Sequence, residues 1–237
     1  MRRLREDLWL LELGWHEPFG SNAYLIDDAI DPETGERTAG ELTLVDTGYR
    51  WNRRSLASEI AAAGYDTGEI DRIVLTHYDL DHTGGLHSIP VDCPVYLGAT
   101  EIELAEGEYQ PPLSHHKGLF HRATRTLFPL PKSIDLHSVT DEQWIGRFEA
   151  FATPGHNPGH MVYVHESGVA FLGDLVWETD GELTTPFWGD SYDMRQVRES
   201  VKSLAQRCPP FEVACMGHGS PFTENGFDYL QRLAGRL

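Results

Sequence analysis

The sequence is poor in cysteine and has no long apolar run. Its three cysteines, Cys93, Cys208 and Cys215, are too few and too scattered for a disulfide framework, and none lies at a paired metal-binding spacing. We therefore expect a reducing environment and predict a cytoplasmic protein. The sequence also lacks the roughly 20 consecutive apolar residues that a membrane-spanning helix needs, so we expect no membrane span.

Basic residues are scarce as well. The chain has 37 Asp and Glu residues against 19 Lys and Arg residues, only three of which are lysine, and its formal net charge is −18. This excess of negative charge disfavours binding to phosphate backbones and to anionic membranes. We therefore expect neither nucleic acid nor a membrane as a partner, and a small molecule as the substrate.

A length of 237 residues is enough for one large domain, and no linker composition divides the chain. We predict a single domain over residues 1–237. The predicted strands come in runs, with helices at two places. This order favours a layered α/β sandwich in which mixed sheets face each other and helices cover the outside.

Local patterns predict the individual elements of this sandwich. Paired opening strands are expected at residues 8–13 and 22–26, and another strand at 41–45. Asn52 is the expected N-cap of a helix that ends at Gly64. A further helix is expected over residues 82–88.

Potential metal ligands are concentrated in residues 71–86, DRIVLTHYDLDHTGGL. The apolar run at 73–75 predicts a short buried strand. Four candidate ligands then follow within six residues: His77, Asp79, Asp81 and His82. Imidazole and carboxylate ligands suit Zn, Fe or Mn, so this cluster indicates a metal site, with a polar surface turn as the alternative. Gly84 and Gly85 follow, where the backbone must turn tightly or approach another segment.

Three further segments carry metal-type residues beside predicted strands. They are TPGHNPGH at 153–160, GDL at 173–175 and MGHGS at 216–220. In each segment glycine flanks a His or Asp, which lets the backbone bring that side chain close to a shared point. The candidate ligands are His156 or His160, Asp174 and His218.

In these motifs the chain resembles the metallo-β-lactamase superfamily of metallohydrolases. The similarity extends from about residue 22 to the C-terminal helix, and all five family motifs occur in order. Their key residues are Asp46 in LVDTG, the cluster that begins at His77, His156 in TPGH, Asp174 and His218. The resemblance implies a four-layer αββα sandwich of two mixed sheets, with a binuclear metal site at one edge between the sheets.

The resemblance also implies a role for each residue. The seven implied ligands are His77, Asp79 and His156 for one metal, Asp81, His82 and His218 for the other, and Asp174 as a bridge between the two. Asp81 would also relay a proton to the leaving group. Asp46 would orient a ligand rather than bind a metal itself.

One position departs from the common H-x-H-x-D-H pattern, because Asp79 stands where the second His is usual. A carboxylate is harder than an imidazole and adds negative charge, which shifts the preference towards iron or manganese. We expect two divalent metal ions, with zinc as the first expectation and Fe or Mn as alternatives.

The segment TPGHNPGH offers two histidines for one ligand position. In members of the family the His of TPGH is the ligand, which corresponds to His156. The distance along the chain from His156 to Asp174 accommodates a hairpin of two strands. His160 would then begin the first of these strands, and it is the alternative ligand.

Residues 107–132 lose the periodicity of the neighbouring segments and contain four prolines. Such long loops are usually functional lids or partly helical insertions. Basic residues form a local patch that could receive an anionic group of a substrate: His115, His116, Lys117, His121, Arg122 and Arg125. Because their spacing does not converge on one face, a solvated loop or an oligomer contact is the alternative.

Aromatic residues in or near predicted loops are candidates for an apolar pocket, although a core position is the alternative for each one. They are Trp15, Phe19, Trp51, Trp177, Phe187, Trp188 and Tyr192, with His16 beside the first two. The candidate substrate contacts taken from both groups are His115, His116, His121, Arg122, Trp177 and Tyr192.

The implied reaction is metal-assisted hydrolysis in which a metal-bridging hydroxide attacks a carbonyl carbon. The mixture of aromatic and basic residues favours a lactone or an acyl ester over a nucleic acid as the substrate, and a thioester is also compatible with this chemistry. A phosphodiesterase or a β-lactamase-type hydrolase is an alternative, since a fold does not determine which reaction is catalysed. A non-haem iron redox protein of the same fold is the second class, suggested by Asp79. Because relatives in this family are often dimers, a homodimer is one expectation.

Overall fold

The computed structural model describes residues 1–14 and 20–237. The pocket candidates Trp15, His16 and Phe19 lie outside the described residues, as does most of the loop predicted between the first two strands. Two compact units make up the chain. The first comprises Met1–Leu75, Asp79–Tyr96 and Leu130–His137, and the second comprises Thr76–Tyr78, Leu97–Pro129 and Ser138–Leu237. A single domain over residues 1–237 stays a prediction.

Most of the first unit is a seven-stranded mixed sheet. In spatial order, which is also chain order, its strands are β1 (Arg2–Arg5), β2 (Leu8–Glu12), β3 (Asn22–Asp27), β4 (Leu42–Val45), β5 (Arg72–Val74), β6 (Pro94–Gly98) and β7 (Asp135–Val139). Strands β1 to β4 pair antiparallel, whereas β4, β5 and β6 pair parallel. The carboxyl ends of β4 and β5 therefore lie at one edge, where the backbone N–H of Asp46 donates to the Val74 carbonyl at 3.0 Å.

Two helices in the described part of the first unit differ from the predicted ones. Helix α1 (Leu56–Ala62) begins after Ser55, whose hydroxyl accepts from the Ser58 N–H at 3.1 Å, so the predicted N-cap at Asn52 is wrong. The Asn52 side chain instead accepts from the Tyr49 N–H at 2.8 Å, which closes a local turn.

The helix predicted over residues 82–88 is also wrong in its bounds. Helix α2 (Leu80–Thr83) begins inside the ligand motif, with Asp79 at its N-cap, and a 3-10 turn follows at Gly84–His87. The motif therefore changes from strand end to helix within a few residues.

The second unit contains a five-stranded mixed sheet. Its strands are β8 (Trp144–Ile145), β9 (Phe148–Ala152), β10 (Met161–His165), β11 (Val169–Gly173) and β14 (Val213–Met216), in the spatial order β14-β11-β10-β9-β8. Strand β10 is antiparallel to both β9 and β11, and β11 is parallel to β14. Strands β9, β11 and β14 therefore run in the same direction and end at one edge. A separate hairpin is formed by β12 (Trp177–Thr179) and β13 (Glu182–Thr184).

Four helices belong to the second unit: α3 (Ala99–Glu106), α4 (His116–Leu127), α5 (Met194–Arg207) and α6 (Gly226–Arg236). Val201 and Leu204 of α5 and Leu230 of α6 share one buried apolar cluster with Val162 of β10 and Leu172 of β11. Over the described parts of the chain, we find no helix with the length and apolar character needed to cross a membrane.

Candidate metal centre

Three predicted ligands reach one edge of the second unit because their strands end there. His156 follows β9, Asp174 follows β11 directly, and His218 follows β14. The segment Thr76–Tyr78 joins them, since the Met161 N–H at the start of β10 donates to the Thr76 carbonyl at 2.8 Å. This hydrogen bond places His77 beside the same sheet edge.

The side chains of these residues converge. One ligand atom each of His77, His156 and Asp174 lies within 4.8 Å of the others. A carboxylate oxygen of Asp174 lies 3.1 Å from Nε2 of His218 and 3.6 Å from Nε2 of His156. His77 and His156 are fully buried and Asp174 is nearly so, whereas His218 is partly exposed. The four side chains thus form a buried cluster with one member near solvent.

Glycine permits the backbone turn that presents Asp174. Gly173 has a φ of +51°, and a Cβ there would lie 2.7 Å from both Nε2 of His160 and Cβ of Thr76. A larger residue would therefore combine an unfavourable backbone conformation with a steric clash. The close approach expected from the glycine beside Asp174 is confirmed at this position.

His160 makes protein contacts through both ring nitrogens. Its Nε2 accepts from the backbone N–H of Asp174 at 3.0 Å, so Nδ1 carries the proton and donates to the Thr153 hydroxyl at 2.8 Å. Because Nε2 is used to fix the Asp174 loop, His160 supports the ligand cluster rather than joining it. This arrangement favours His156 as the ligand of TPGHNPGH.

The first unit carries the rest of the ligand motif. His82 is fully buried, and its Nδ1 lies 2.8 Å from a carboxylate oxygen of Asp46. The Thr47 hydroxyl and N–H both donate to the His82 carbonyl, at 2.7 and 2.8 Å. Asp81 is half-buried, with a carboxylate oxygen 3.6 Å from Nε2 of His82. The end of β4 therefore fixes both the side chain and the backbone of His82.

The glycine pair after His82 allows this close packing. A Cβ on Gly85 would lie 2.0 Å from the Thr47 carbonyl oxygen, and one on Gly84 would lie 2.6 Å from the Arg50 backbone nitrogen. Both contacts are shorter than van der Waals distance, so only glycine fits without a backbone shift. The expectation that this pair marks a close backbone approach is confirmed.

The donor set fits a transition-metal site. His77, His156 and Asp174 supply two imidazole nitrogens and a carboxylate oxygen, which is a ligand combination that Zn, Fe and Mn accept. Buried histidines of such sites commonly use their second nitrogen to bind a carboxylate or a carbonyl, as His82 does with Asp46. The residues present are therefore suited to divalent ions.

Helix α4 lies within residues 107–132, so this segment is partly helical. Two of its basic residues, Lys117 and His121, are buried on one side of α4, whereas His116 is exposed and His115, Arg122 and Arg125 are half-buried, so the basic residues do not all share one face, as the spacing predicted. Nζ of Lys117 lies 2.8 Å from Nε2 of His156 and donates to the Asp190 carbonyl at 2.8 Å. The sequence placed Lys117 in a basic patch but gave no sign of this contact.

The predicted substrate contacts separate into two groups. His115 stacks on Tyr192 with ring centroids 4.7 Å apart and on His116 at 4.8 Å, and Nδ1 of His121 lies 2.8 Å from the Tyr192 hydroxyl. Arg122 instead donates twice to the Pro111 carbonyl, at 3.1 and 2.9 Å, which ties α4 to the preceding loop.

The remaining aromatic candidates differ in their surroundings. The Trp177 ring lies 4.9 Å from the His218 ring, beside the buried cluster. Trp51, Phe187 and Trp188 are mainly exposed. Trp177 is therefore placed against a predicted ligand.

Comparison with known proteins identifies the family. Residues 16–218 match the family model of the metallo-beta-lactamase superfamily. The probable metallo-hydrolase YflN of Bacillus subtilis is 27% identical over 246 residues, which cover 92% of this chain and 88% of YflN. The probable metallo-hydrolase YybB of the same organism is 28% identical, with coverage of 78% and 79%.

Solved structures show the same fold. The metallo-beta-lactamase family protein TTHA1429 of Thermus thermophilus superposes with a TM-score of 0.68 at 24% identity, over 97% of this chain and 79% of that chain. TTHA1623, solved in a di-iron-bound form, gives a TM-score of 0.65 at 26% identity, over 97% of this chain and 100% of that chain. The predicted fold class is confirmed, and the chain belongs to the metallo-beta-lactamase superfamily.

Proposed function

We propose that this protein is a metal-dependent hydrolase of a small carbonyl ester, namely a lactone, an acyl ester or a thioester. The observation that carries the proposal is the convergence of His77, His156 and Asp174, with His218 3.1 Å from Asp174. The names of YflN and YybB, both probable metallo-hydrolases, support the hydrolytic class.

The assignment of ligands follows the family motifs. We assign His77, Asp79 and His156 to one metal, Asp81, His82 and His218 to a second, and Asp174 to both. When bound, the two ions would supply a water of lowered pKa and an electrophile for the substrate carbonyl. Zinc is our first choice, with iron or manganese as alternatives because of Asp79.

The protein's own side chains would divide the remaining tasks. Asp46 holds Nδ1 of His82 and so orients the ring, and Nε2 of this histidine is the proposed ligand atom. Asp81, half-buried beside His82, is the proposed proton relay to the leaving group. Trp177, against His218, is the proposed apolar contact for the substrate.

The segment 107–132 would contribute the substrate-binding wall. Helix α4 contacts the buried cluster through Lys117, whose Nζ lies close to Nε2 of His156. His121 contacts the Tyr192 hydroxyl, and His115, just before the helix, stacks on the Tyr192 ring. These groups combine cationic or polar character with flat aromatic surface, which suits a small ester with a polar substituent. A helical wall attached in this way also limits the size of the substrate.

A second candidate function is supported by a separate observation. Asp79 replaces an imidazole by a carboxylate, and TTHA1623 is a related structure in a di-iron-bound form. A non-haem iron protein with redox activity is therefore the alternative. Phosphodiesters and β-lactams remain alternative substrates for a hydrolase.

One experiment distinguishes these candidates. The purified protein would be analysed for metals and then loaded separately with Zn²⁺, Mn²⁺ and Fe²⁺. Each form would be assayed on a lactone, an acyl ester, a thioester, nitrocefin and a phosphodiester. We expect turnover of at least one carbonyl ester in the zinc or manganese form. Iron in the purified protein together with no turnover of any ester would refute the proposal and favour the redox alternative.

A further inference from the structure

Glu101 is a fully buried carboxylate on helix α3. It lies well away in sequence from every ligand motif, and no pattern in the sequence marks it. All three of its hydrogen-bond partners described here lie in two segments that carry predicted metal ligands. Burial of a carboxylate is costly unless donors compensate it, so these contacts explain why this residue is tolerated inside the second unit.

The first contact is to the segment that carries His77. The backbone N–H of Tyr78 donates to Oε2 of Glu101 at 2.7 Å. Tyr78 directly follows His77, so this hydrogen bond fixes the peptide plane immediately after the histidine.

The other two contacts are to the segment that carries His156. The Asn157 side chain donates to Oε2 at 3.0 Å, and the Gly159 N–H donates to Oε1 at 2.7 Å. One carboxylate group therefore links the residue after His77 to the residue after His156. The rings of these two histidines have centroids 4.8 Å apart.

Two glycines allow α3 to come this close. A Cβ on Gly159 would lie 2.6 Å from the Glu101 backbone nitrogen, and a Cβ on Gly98 would lie 2.3 Å from the Gly159 carbonyl oxygen. The start of α3 thus packs directly on the loop after His156. This is independent evidence that the helix and the loop are fitted to each other.

We propose that Glu101 is a positioning residue that sets the relative placement of His77 and His156, and so the affinity for the metal that they share. This inference rests on the proposed function, because it takes both histidines as ligands of one metal. Glu101 would not touch metal or substrate. Its effect would pass through the backbone beside each ligand.

The chemistry of the three partners makes Glu101→Gln an informative variant. All three partners donate N–H groups, and a carboxylate can accept all of them. An amide of the same size presents one acceptor and one donor group, so at least one N–H would face another N–H. The variant therefore keeps the volume of the side chain, removes at least one of the three hydrogen bonds and sets two N–H groups against each other.

The test uses Co²⁺ as the probe metal. Wild-type protein and Glu101→Gln would be loaded with Co²⁺, and the ion would be removed with increasing chelator while the visible absorption is recorded. We expect Glu101→Gln to lose the ion at a chelator concentration about 10- to 100-fold lower than the concentration that wild type requires. The absorption spectrum of the fully loaded variant should also change, since the ligand geometry changes.

Leu104→Ala is the matched control. Leu104 is fully buried on the same helix, so its truncation should lower thermal stability. Its aliphatic side chain cannot make hydrogen bonds to the ligand segments, so we expect the chelator response of wild type. Asn157→Ala removes only one of the three donors and should give a smaller loss than Glu101→Gln; it also serves if Glu101→Gln does not fold.

The outcomes separate the two proposals. If wild-type protein binds no Co²⁺, the proposed function fails, and this inference fails with it. If wild type binds Co²⁺ and Glu101→Gln retains it equally well, the inference alone is overturned. An equal loss in Leu104→Ala and Glu101→Gln would also overturn it, because general destabilisation would then explain the effect.

Discussion

The carboxylate of Asp46 lies 2.8 Å from Nδ1 of His82, and both side chains are buried. Asp46 is held there in the left-handed region, with a φ of +56°, at the point where β4 ends. A non-glycine residue in this conformation is strained, although Asp and Asn tolerate it best. The strain is maintained at a position where the side chain fixes the orientation of a predicted metal ligand.

Replacement of Asp46 by Asn should weaken metal binding without unfolding the protein. Asn tolerates the same backbone conformation, but its amide provides a weaker acceptor for Nδ1 of His82. We expect metal affinity to fall about 10- to 100-fold, measured by competition with a chelator. Asp180→Asn is the control, because Asp180 is also left-handed, with a φ of +53°, but is exposed. Equal affinities in the Asp46 variant and wild type would contradict the orienting role.

The close approach at Gly85 predicts a large effect of a single methyl group. In Gly85→Ala the new Cβ would meet the Thr47 carbonyl oxygen at 2.0 Å, so the backbone around His82 must move. We expect a loss of about 1–3 kcal/mol in the free energy of unfolding, measured by denaturation in urea. Gly68→Ala should be nearly neutral, because no heavy atom lies within 4 Å of a Cβ there. Equal stabilities of the two variants would refute this account of the turn.

Several strands could be predicted from the sequence because their buried residues form short apolar runs that are visible in the sequence. Strands such as β3, β4 and β11 are short apolar runs that end at a charged or glycine-containing turn. His156, Asp174 and His218 could be grouped in advance because each lies in a glycine-containing segment beside a predicted strand. The close approaches at Gly85 and Gly173 were foreseeable for the same reason, since glycine stood beside each ligand.

Other features of the structure have no periodic pattern of apolar residues from which they could be predicted. Helix α4 buries Lys117, His121 and Thr124 and exposes Leu119, Phe120 and Leu127, which reverses the usual amphipathic pattern. Strand β1 reads RRLR and lies at the edge of its sheet. The role of Glu101 depends on contacts to residues more than 20 positions away. Such features follow from tertiary contacts, so the local sequence does not reveal them.

His121 should affect substrate binding and leave the metals in place. Its Nδ1 lies 2.8 Å from the Tyr192 hydroxyl, and its ring lies 6.0 Å from that of Tyr78. In His121→Phe the loss of one hydrogen bond should raise KM about 2- to 10-fold with an unchanged kcat. Tyr192→Phe removes the same hydrogen bond and should behave similarly. Loss of metal from His121→Phe would show that the role assigned to α4 is wrong.

The ion pair between Asp141 and Arg207 predicts a pH-dependent contribution to stability. Arg207 donates to Asp141 at 2.8 Å and lowers the pKa of this carboxyl, which also accepts from the Ala152 N–H at 2.8 Å. Because the pKa is lower in the folded state, the stabilisation is present above the unfolded value of about 4 and is lost as the pH falls through the folded value.

The corresponding variant is Asp141→Asn. Both partners are partly exposed, so solvent screening limits the expected loss at pH 7 to about 0.2–1 kcal/mol. Urea unfolding at a series of pH values should show the difference from wild type shrinking below about pH 4. A difference that stays constant down to pH 3 would contradict the assignment.

We propose that the chain binds two divalent ions and that Asp174 is a ligand of both. The most direct test is the metal content per chain of wild type and of Asp174→Ala, purified in parallel and loaded with the same excess of Zn²⁺. We expect two ions per wild-type chain, and we expect the variant to lose metal and activity while most of the fold is kept. Two ions per chain in Asp174→Ala, or none in wild type, would contradict it.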